Sequence, residues 1–291
     1  MRERRTIQVI IKKFGYVIII AGVIAMSYSM IGRGFPSTVV STCVYFSVLF
    51  IATLLSAYYP YYRHWQKPQQ DRLTDWLHLL ISTSIASGIF QLLAVESSLL
   101  QEQLSIAIWP NHWPWYVQLP VLATLAEFGG YWSHRAMHTF SWLNRVRTIH
   151  HSAKRLYPLN ATRNHPLDLL VTLTCTLAPL IALGVSEENL SLISSYMIAH
   201  LVLQHSNIEF NLGLFERLFN LCKLHKWHHL PDVEKQSANF GNVLLIWDHV
   251  FGTYRNFEQI PGQPSDIVLG THQNLSADYL SQLTYPFGIQ K

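Results

Sequence analysis

PSTVVSTCVYFSVLFIATLLSAYY, residues 36–59, runs for 24 positions without a charged side chain. As an α-helix rising 1.5 Å per residue, such a run reaches about 30 Å, the thickness of a bilayer's hydrocarbon core. Residues 73–95 read the same way, with only Asp75 near one end, and residues 14–31 and 114–132 extend the pattern. Two shorter apolar runs, 167–185 and 190–203, have the length of a hairpin that dips into the bilayer from one side. The whole chain agrees, since 49% hydrophobic and 13% charged residues is too apolar for an ordinary soluble enzyme. The expected fold class is therefore all-α, an integral membrane helical bundle of about four spanning helices plus a re-entrant helical hairpin.

Lysine and arginine set the orientation. With Arg2, Arg4, Arg5, Lys12 and Lys13 in the cytoplasm, Arg63, Lys67 and Arg72 fall on the same side, and only Arg33 in a short turn faces out. Tyr58, Tyr59, Tyr61, Tyr62 and Trp65, and then Trp109, Trp113, Trp115 and Tyr116, gather where spans should meet the interface. The basic N-terminus and its apolar run read as a retained helix, because no small-x-small cleavage site follows. Residues 212–224 carry Leu214, Phe215, Leu218, Phe219 and Cys222 on one stripe, the pattern of an interfacial helix. Cys43, Cys175 and Cys222 are too few and too scattered for a disulfide framework or a thiolate metal site. A net charge of +4 fits contact with an anionic inner leaflet and gives no reason to invoke nucleic acid.

This orientation puts every histidine cluster on the cytoplasmic side, as a histidine-rich cap. Histidine makes up 15 of 291 residues, and HKWHH at 225–229 has a spacing that chance produces in roughly one such chain in twenty or thirty. HRAMH at 134–138 and the adjacent pair His150 and His151 make three clusters. His134 and His138 share one helical face one turn apart, and His225 and His229 repeat that spacing with His228 between them. His150 and His151 point about 100° apart on a helix, so they serve two metals or two sides of one. Imidazole without thiolate suits iron, copper, zinc or nickel, and seven clustered histidines exceed what one ion needs. His64, His78, His112, His249 and His272 have no cluster partner and read as structural. A metal-ion transporter would bury its charges within the spans, whereas these histidines cluster outside them.

HRAMH, TIHHS and HKWHH, followed by NFGNVLLIWDHVFGTY, together resemble the fatty acid hydroxylase and sterol desaturase superfamily of integral-membrane oxidases over roughly residues 120–256. The stretch HSAKRLYPLNATRNHPLD resembles the segment after the second box in bacterial members. The resemblance implies a non-haem di-iron oxidase that hydroxylates or desaturates a C–H bond of a membrane lipid or sterol-like substrate with O2 and two electrons. It implies His134, His138, His150, His151, His205, His225, His228 and His229 as metal ligands, with His200 and His165 as weaker candidates and no catalytic residue beyond the ligands. Asp248 and Asn239, with Asp168 behind them, are the candidates for orienting those ligands. Two iron ions are implied as cofactor, with zinc able to substitute in purified protein. Electrons would come from a separate cytochrome, ferredoxin or reductase. The membrane would be the bacterial inner membrane, or the endoplasmic reticulum in a eukaryote.

The implied organisation is 1–113, membrane helices and loops; 114–256, the histidine-box domain; and 257–291, a C-terminal tail. Arg163 and Arg155 are open to two readings, contacts for a lipid headgroup or ordinary inner-side charges. One position departs from the pattern. Where the second box should open with histidine stands Arg147, whose guanidinium has no lone pair for a cation. That leaves three possibilities: a changed di-iron site completed by His165, His200, water or a carboxylate; a single-metal site; or a member that binds lipid or metal without oxidising anything.

Overall fold

The computed structural model describes residues 2–104, 108–257, 269–271, 273 and 275–289. His272 and positions 258–268 of the expected C-terminal tail lie outside them. The helices in chain order are α1 (Arg2–Gly32), α2 (Ser37–Tyr58), α3 (Arg72–Leu77) and α4 (Thr83–Leu104), with a π-turn (His78–Ser82) joining the last two. Then come α5 (Trp115–Thr139), α6 (Ser141–His151), α7 (Pro166–Ala182), α8 (Glu187–Gln204) and α9 (Cys222–His228). The short α10 (Val233–Gln236), α11 (Ile246–Val250) and α12 (Tyr279–Thr284) complete the set. No strand occurs among the described residues, where one isolated antiparallel bridge joins Phe219 to Leu244.

The bundle is organised around α8. Its N-terminus is capped by the Ser186 side chain, which accepts from the Asn189 backbone N–H, and Glu187 and Glu188 complement the positive end of the helix. The helix is buried on most sides, as expected for a central rather than a surface helix. Val40, Val44, Val48, Ala52 and Ser56, each four residues from the last, form the main buried stripe of α2, and α2 and α1 both pack on α8. On the other flank α5 lies against α7 so closely that a Cβ at Gly129 would collide with the Cys175 carbonyl.

Two helical stretches, Arg5–Gly32 and Ser37–Tyr58, are long and apolar enough to cross a membrane by length and composition. Only 17% and 33% of their most apolar windows are buried, whereas a core helix of a soluble protein would be mostly covered. Their outer faces, including Phe14, Val17, Phe46, Phe50 and Leu54, remain exposed, an apolar surface that calls for an apolar surrounding. The other four apolar runs are helical over most of their length, in α3–α4, α5, α7 and α8.

Two expectations are corrected. Residues 212–224 do not form one amphipathic helix: a single 3-10 turn (Gly213–Arg217) is followed by an extended link into α9. The backbone there is claimed instead by residues 243–245, with Leu245 N–H donating to the Leu218 carbonyl at 2.8 Å and Asn220 N–H to that of Val243 at 2.9 Å. Arg155 and Arg163 are neither exposed inner-side charges nor free for a headgroup. Both are buried, Arg155 forked onto Asp71 at 2.7 and 2.9 Å, and Arg163 paired with Asp75.

Candidate metal centre

Four chain segments deliver the eight histidines to one place. The last two turns of α5 carry His134 and His138, and α6 ends on His150 and His151. His205 caps α8, and α9 presents His225 and His228 with His229 as its C-cap. They sort into two groups of four whose ligand atoms lie within 4.8 Å of one another: His134, His138, His151 and His228 form the first group, and His150, His205, His225 and His229 the second. The adjacent pair His150 and His151 is therefore split between the groups. The rings of His151 and His229 stack at 4.6 Å, so the groups stand side by side.

The hydrogen bonds test whether these residues suit a cation. His134 Nδ1 lies 2.7 Å from the Phe240 carbonyl, His228 Nδ1 3.0 Å from Ala238, His150 Nδ1 3.2 Å from Arg163 and His205 Nδ1 2.9 Å from Leu201. A carbonyl only accepts, so each Nδ1 carries the proton and each Nε2 keeps a lone pair. Yet His134 and His228 face each other Nε2 to Nε2 at 2.9 Å, and His150 and His205 do so at 3.2 Å. Two lone pairs at that separation repel unless a cation lies between them. Nitrogens bound at about 2.0–2.1 Å and at right angles around one ion would be about 3 Å apart. His138 Nε2 and both ring nitrogens of His151 are buried without a hydrogen-bond partner, and a metal would satisfy one nitrogen of each ring. Burial, reinforced by neighbouring histidines and, for all but His225, by Arg147, holds His150, His151, His225 and His229 well below the ordinary imidazole range and His228 down to about 3. These imidazoles are thus neutral at neutral pH, the form that can bind a metal.

His200 and His165 stand outside both groups. His200 is fully buried between the Tyr16 hydroxyl at 2.8 Å and the Asn220 carbonyl at 3.1 Å. Its five-residue offset from His205 turns it to another side of α8. His165 caps α7, accepting from the Leu167 N–H at 3.1 Å, and its Nε2 meets the Leu283 carbonyl. Arg147 is buried, with one terminal nitrogen 2.8 Å from His134 Nε2 and the other 3.3 and 3.5 Å from the two oxygens of Asp168. Asp168 is therefore the counter-ion of Arg147.

Neither Asp248 nor Asn239 bonds a clustered histidine directly. Asp248 accepts from the backbone N–H groups of Phe240 at 2.8 Å and Gly241 at 2.7 Å, fixing the peptide whose Phe240 carbonyl receives His134. A Cβ at Gly241 would run into the Leu244 carbonyl and stand 2.9 Å from Asp248 Oδ2, so glycine permits this grip. Asn239, at φ 57°, ties the same loop to the Arg255 backbone at 2.8 and 2.9 Å.

Sequence reasoning passed over Glu127. This carboxylate, fully buried in α5, accepts from the backbone N–H groups of Asn242, Val243 and Leu244 and so pins the far side of the loop that orients His134 and His228. A signal was available, because Glu127 is the one charged residue between 114 and 132, and an ionisable group inside an apolar span is costly unless it has work to do. Replacing Glu127 by alanine orphans three buried donors. We expect metal retention at the first group to weaken about 10–100-fold, measured by metal analysis of the purified variant. Unchanged retention would show that the loop holds its shape without the carboxylate.

The fatty acid hydroxylase profile matches residues 119–253, which contain all eight grouped histidines. An ornithine lipid hydroxylase of Rhizobium tropici is 31% identical over 250 residues, 84% of this chain and 74% of the relative. The chain belongs to the fatty acid hydroxylase family. That membership makes it an oxygen-dependent oxidoreductase. Alkylglycerol monooxygenase of Homo sapiens is 27% identical over 146 residues, 50% of this chain and 32% of the relative. A very-long-chain aldehyde decarbonylase of Oryza sativa subsp. indica is 28% identical over 152 residues, 51% of this chain and 56% of the relative. The chain thus spans about a third to just over half of the length of these two relatives. No solved structure gives a significant match.

Proposed function

We propose that the two histidine groups hold a pair of iron ions, and that the chain inserts oxygen into, or desaturates, a C–H bond of a membrane lipid using O2 and two electrons. The observation that carries this reading is the pairing of two four-histidine groups, each containing two Nε2 lone pairs that face each other with no proton between them. Iron bound by neutral imidazoles supplies dioxygen activation.

The chain's own residues do the rest. The Phe240, Ala238, Arg163 and Leu201 carbonyls fix the tautomer and aim of four ligands, and burial keeps bulk water from the groups. Both groups form at the ends of α5 and α8, where a lipid standing beside the exposed apolar helix faces can present its chain. Positioning of the target carbon decides between hydroxylation and desaturation. The relatives named for ornithine lipid, alkylglycerol and very-long-chain aldehyde favour a chain lipid over a sterol. On this reading the N-terminus and the histidine cap face the cytoplasm, about four helices cross with α7–α8 as the re-entrant pair, and a separate protein donates electrons.

The test is lipid profiling of membranes from cells expressing the chain under isotopically labelled dioxygen. A lipid that gains one labelled oxygen atom, or loses two hydrogens, is the expected product. Stripping the metal from purified protein should abolish product formation, and iron should restore it. Identical lipid profiles with and without the chain, given confirmed expression and metal loading, count against the reading.

A further inference from the structure

We infer that Arg147 makes the two histidine groups unequal, so that the His150, His205, His225 and His229 group takes a divalent cation first and the His134, His138, His151 and His228 group takes one more weakly. The inference rests on the metal-centre reading above and concerns only how this chain's residues grade the two positions.

Three features of the first group combine. A guanidinium has donors only, so its 2.8 Å contact with His134 Nε2 is a hydrogen bond into a lone pair that also faces His228 Nε2. An incoming cation must break that bond to gain His134 as a ligand. The guanidinium also remains positive under all ordinary conditions, and a like charge at the edge of a buried site is screened far less than one in water. Finally, Arg147 cannot easily swing aside: its other terminal nitrogen is bound to Asp168 on the first turn of α7, and Thr172 donates to the same carboxylate at 3.4 Å.

The second group has no such neighbour. The field of Arg147 reaches His150, His205 and His229, so the contrast rests on contact: no hydrogen bond joins the guanidinium to any of the four. The other buried cations nearby are directed elsewhere. Lys226 donates to the Tyr61 and Tyr62 hydroxyls at 3.1 and 2.8 Å, and Arg163 is paired with Asp75. The Nε2 atoms of His150, His205, His225 and His229 meet only one another, at 2.9–3.2 Å.

The experiment uses the full chain in mild detergent, stripped with a chelator and reloaded with zinc ions against a competing chromophoric chelator, with metal content read per chain. Two binding steps about tenfold or more apart are expected. His134→Ala should remove the weaker step alone, and His229→Ala the tighter. Arg147→His should draw the two steps together. Arg147→Gln, which keeps the side chain's hydrogen-bonding ability without its charge, should narrow the gap and guards against misfolding of the histidine variant. Two equal steps in the natural chain, loss of the tighter step in His134→Ala, or an unchanged gap in both Arg147 variants would each overturn the inference. Failure of the natural, folded chain to bind any zinc would overturn the metal-centre reading itself, and the inference with it.

Discussion

Asp75→Ala should cost about 3–5 kcal/mol of stability, the range for breaking a buried ion pair from one side. Asp75 is fully buried and accepts from both the Arg163 guanidinium and the Tyr157 hydroxyl, so its removal strands a positive charge and a hydroxyl away from water. Domains hold together by only about 5–15 kcal/mol, so such a loss takes a large share of the margin. The damage also reaches the metal centre, because the backbone carbonyl of Arg163 is what receives His150 Nδ1. Thermal unfolding in detergent, with metal content measured alongside, should show a lowered midpoint and reduced occupancy of the second group. A variant with the parental midpoint would mean that the pair's attraction does no more than offset its desolvation.

His228→Ala should lower product formation by at least about 100-fold, beyond the 10–100-fold typical of losing a residue that merely orients a ligand. His228 sits at the centre of the first group, its Nε2 2.9 Å from that of His134 and its Nδ1 committed to the Ala238 carbonyl. Alanine leaves three histidines there, one of them already shared with Arg147. Fold should survive, since α9 keeps Trp227 and Cys222 buried against Leu156 and Phe257. A folded variant that retains two ions per chain and its activity would remove His228 from the ligand set.

Several features of the centre could be read from the chain because they depend on spacing along a single helix. His134 with His138, and His225 with His229, lie one turn apart in any α-helix, so their shared faces follow from covalent geometry alone. The 100° between His150 and His151 likewise implies that the two serve two metals or two sides of one. The orienting groups were less legible. Asp248 was singled out, but it grips the Phe240–Gly241 peptide, so its effect on His134 passes through a backbone carbonyl. Backbone acceptors such as those of Phe240, Ala238 and Arg163 have no residue type to mark them.

By itself, then, the sequence determined the helical class, the apolar segments and the imidazole-only donor set, because local periodicity and side-chain chemistry are properties of neighbouring residues. Only the tertiary structure decided that His151 joins His134, His138 and His228 while His150 joins His205, His225 and His229, that His205 enters and His200 turns to Tyr16, and that Arg147 lies between His134 and Asp168. Those outcomes join residues up to 184 positions apart, as Tyr16 and His200 are, and 94 apart for His134 and His228. They are set by how α5, α6, α8 and α9 pack, which no spacing within one helix encodes.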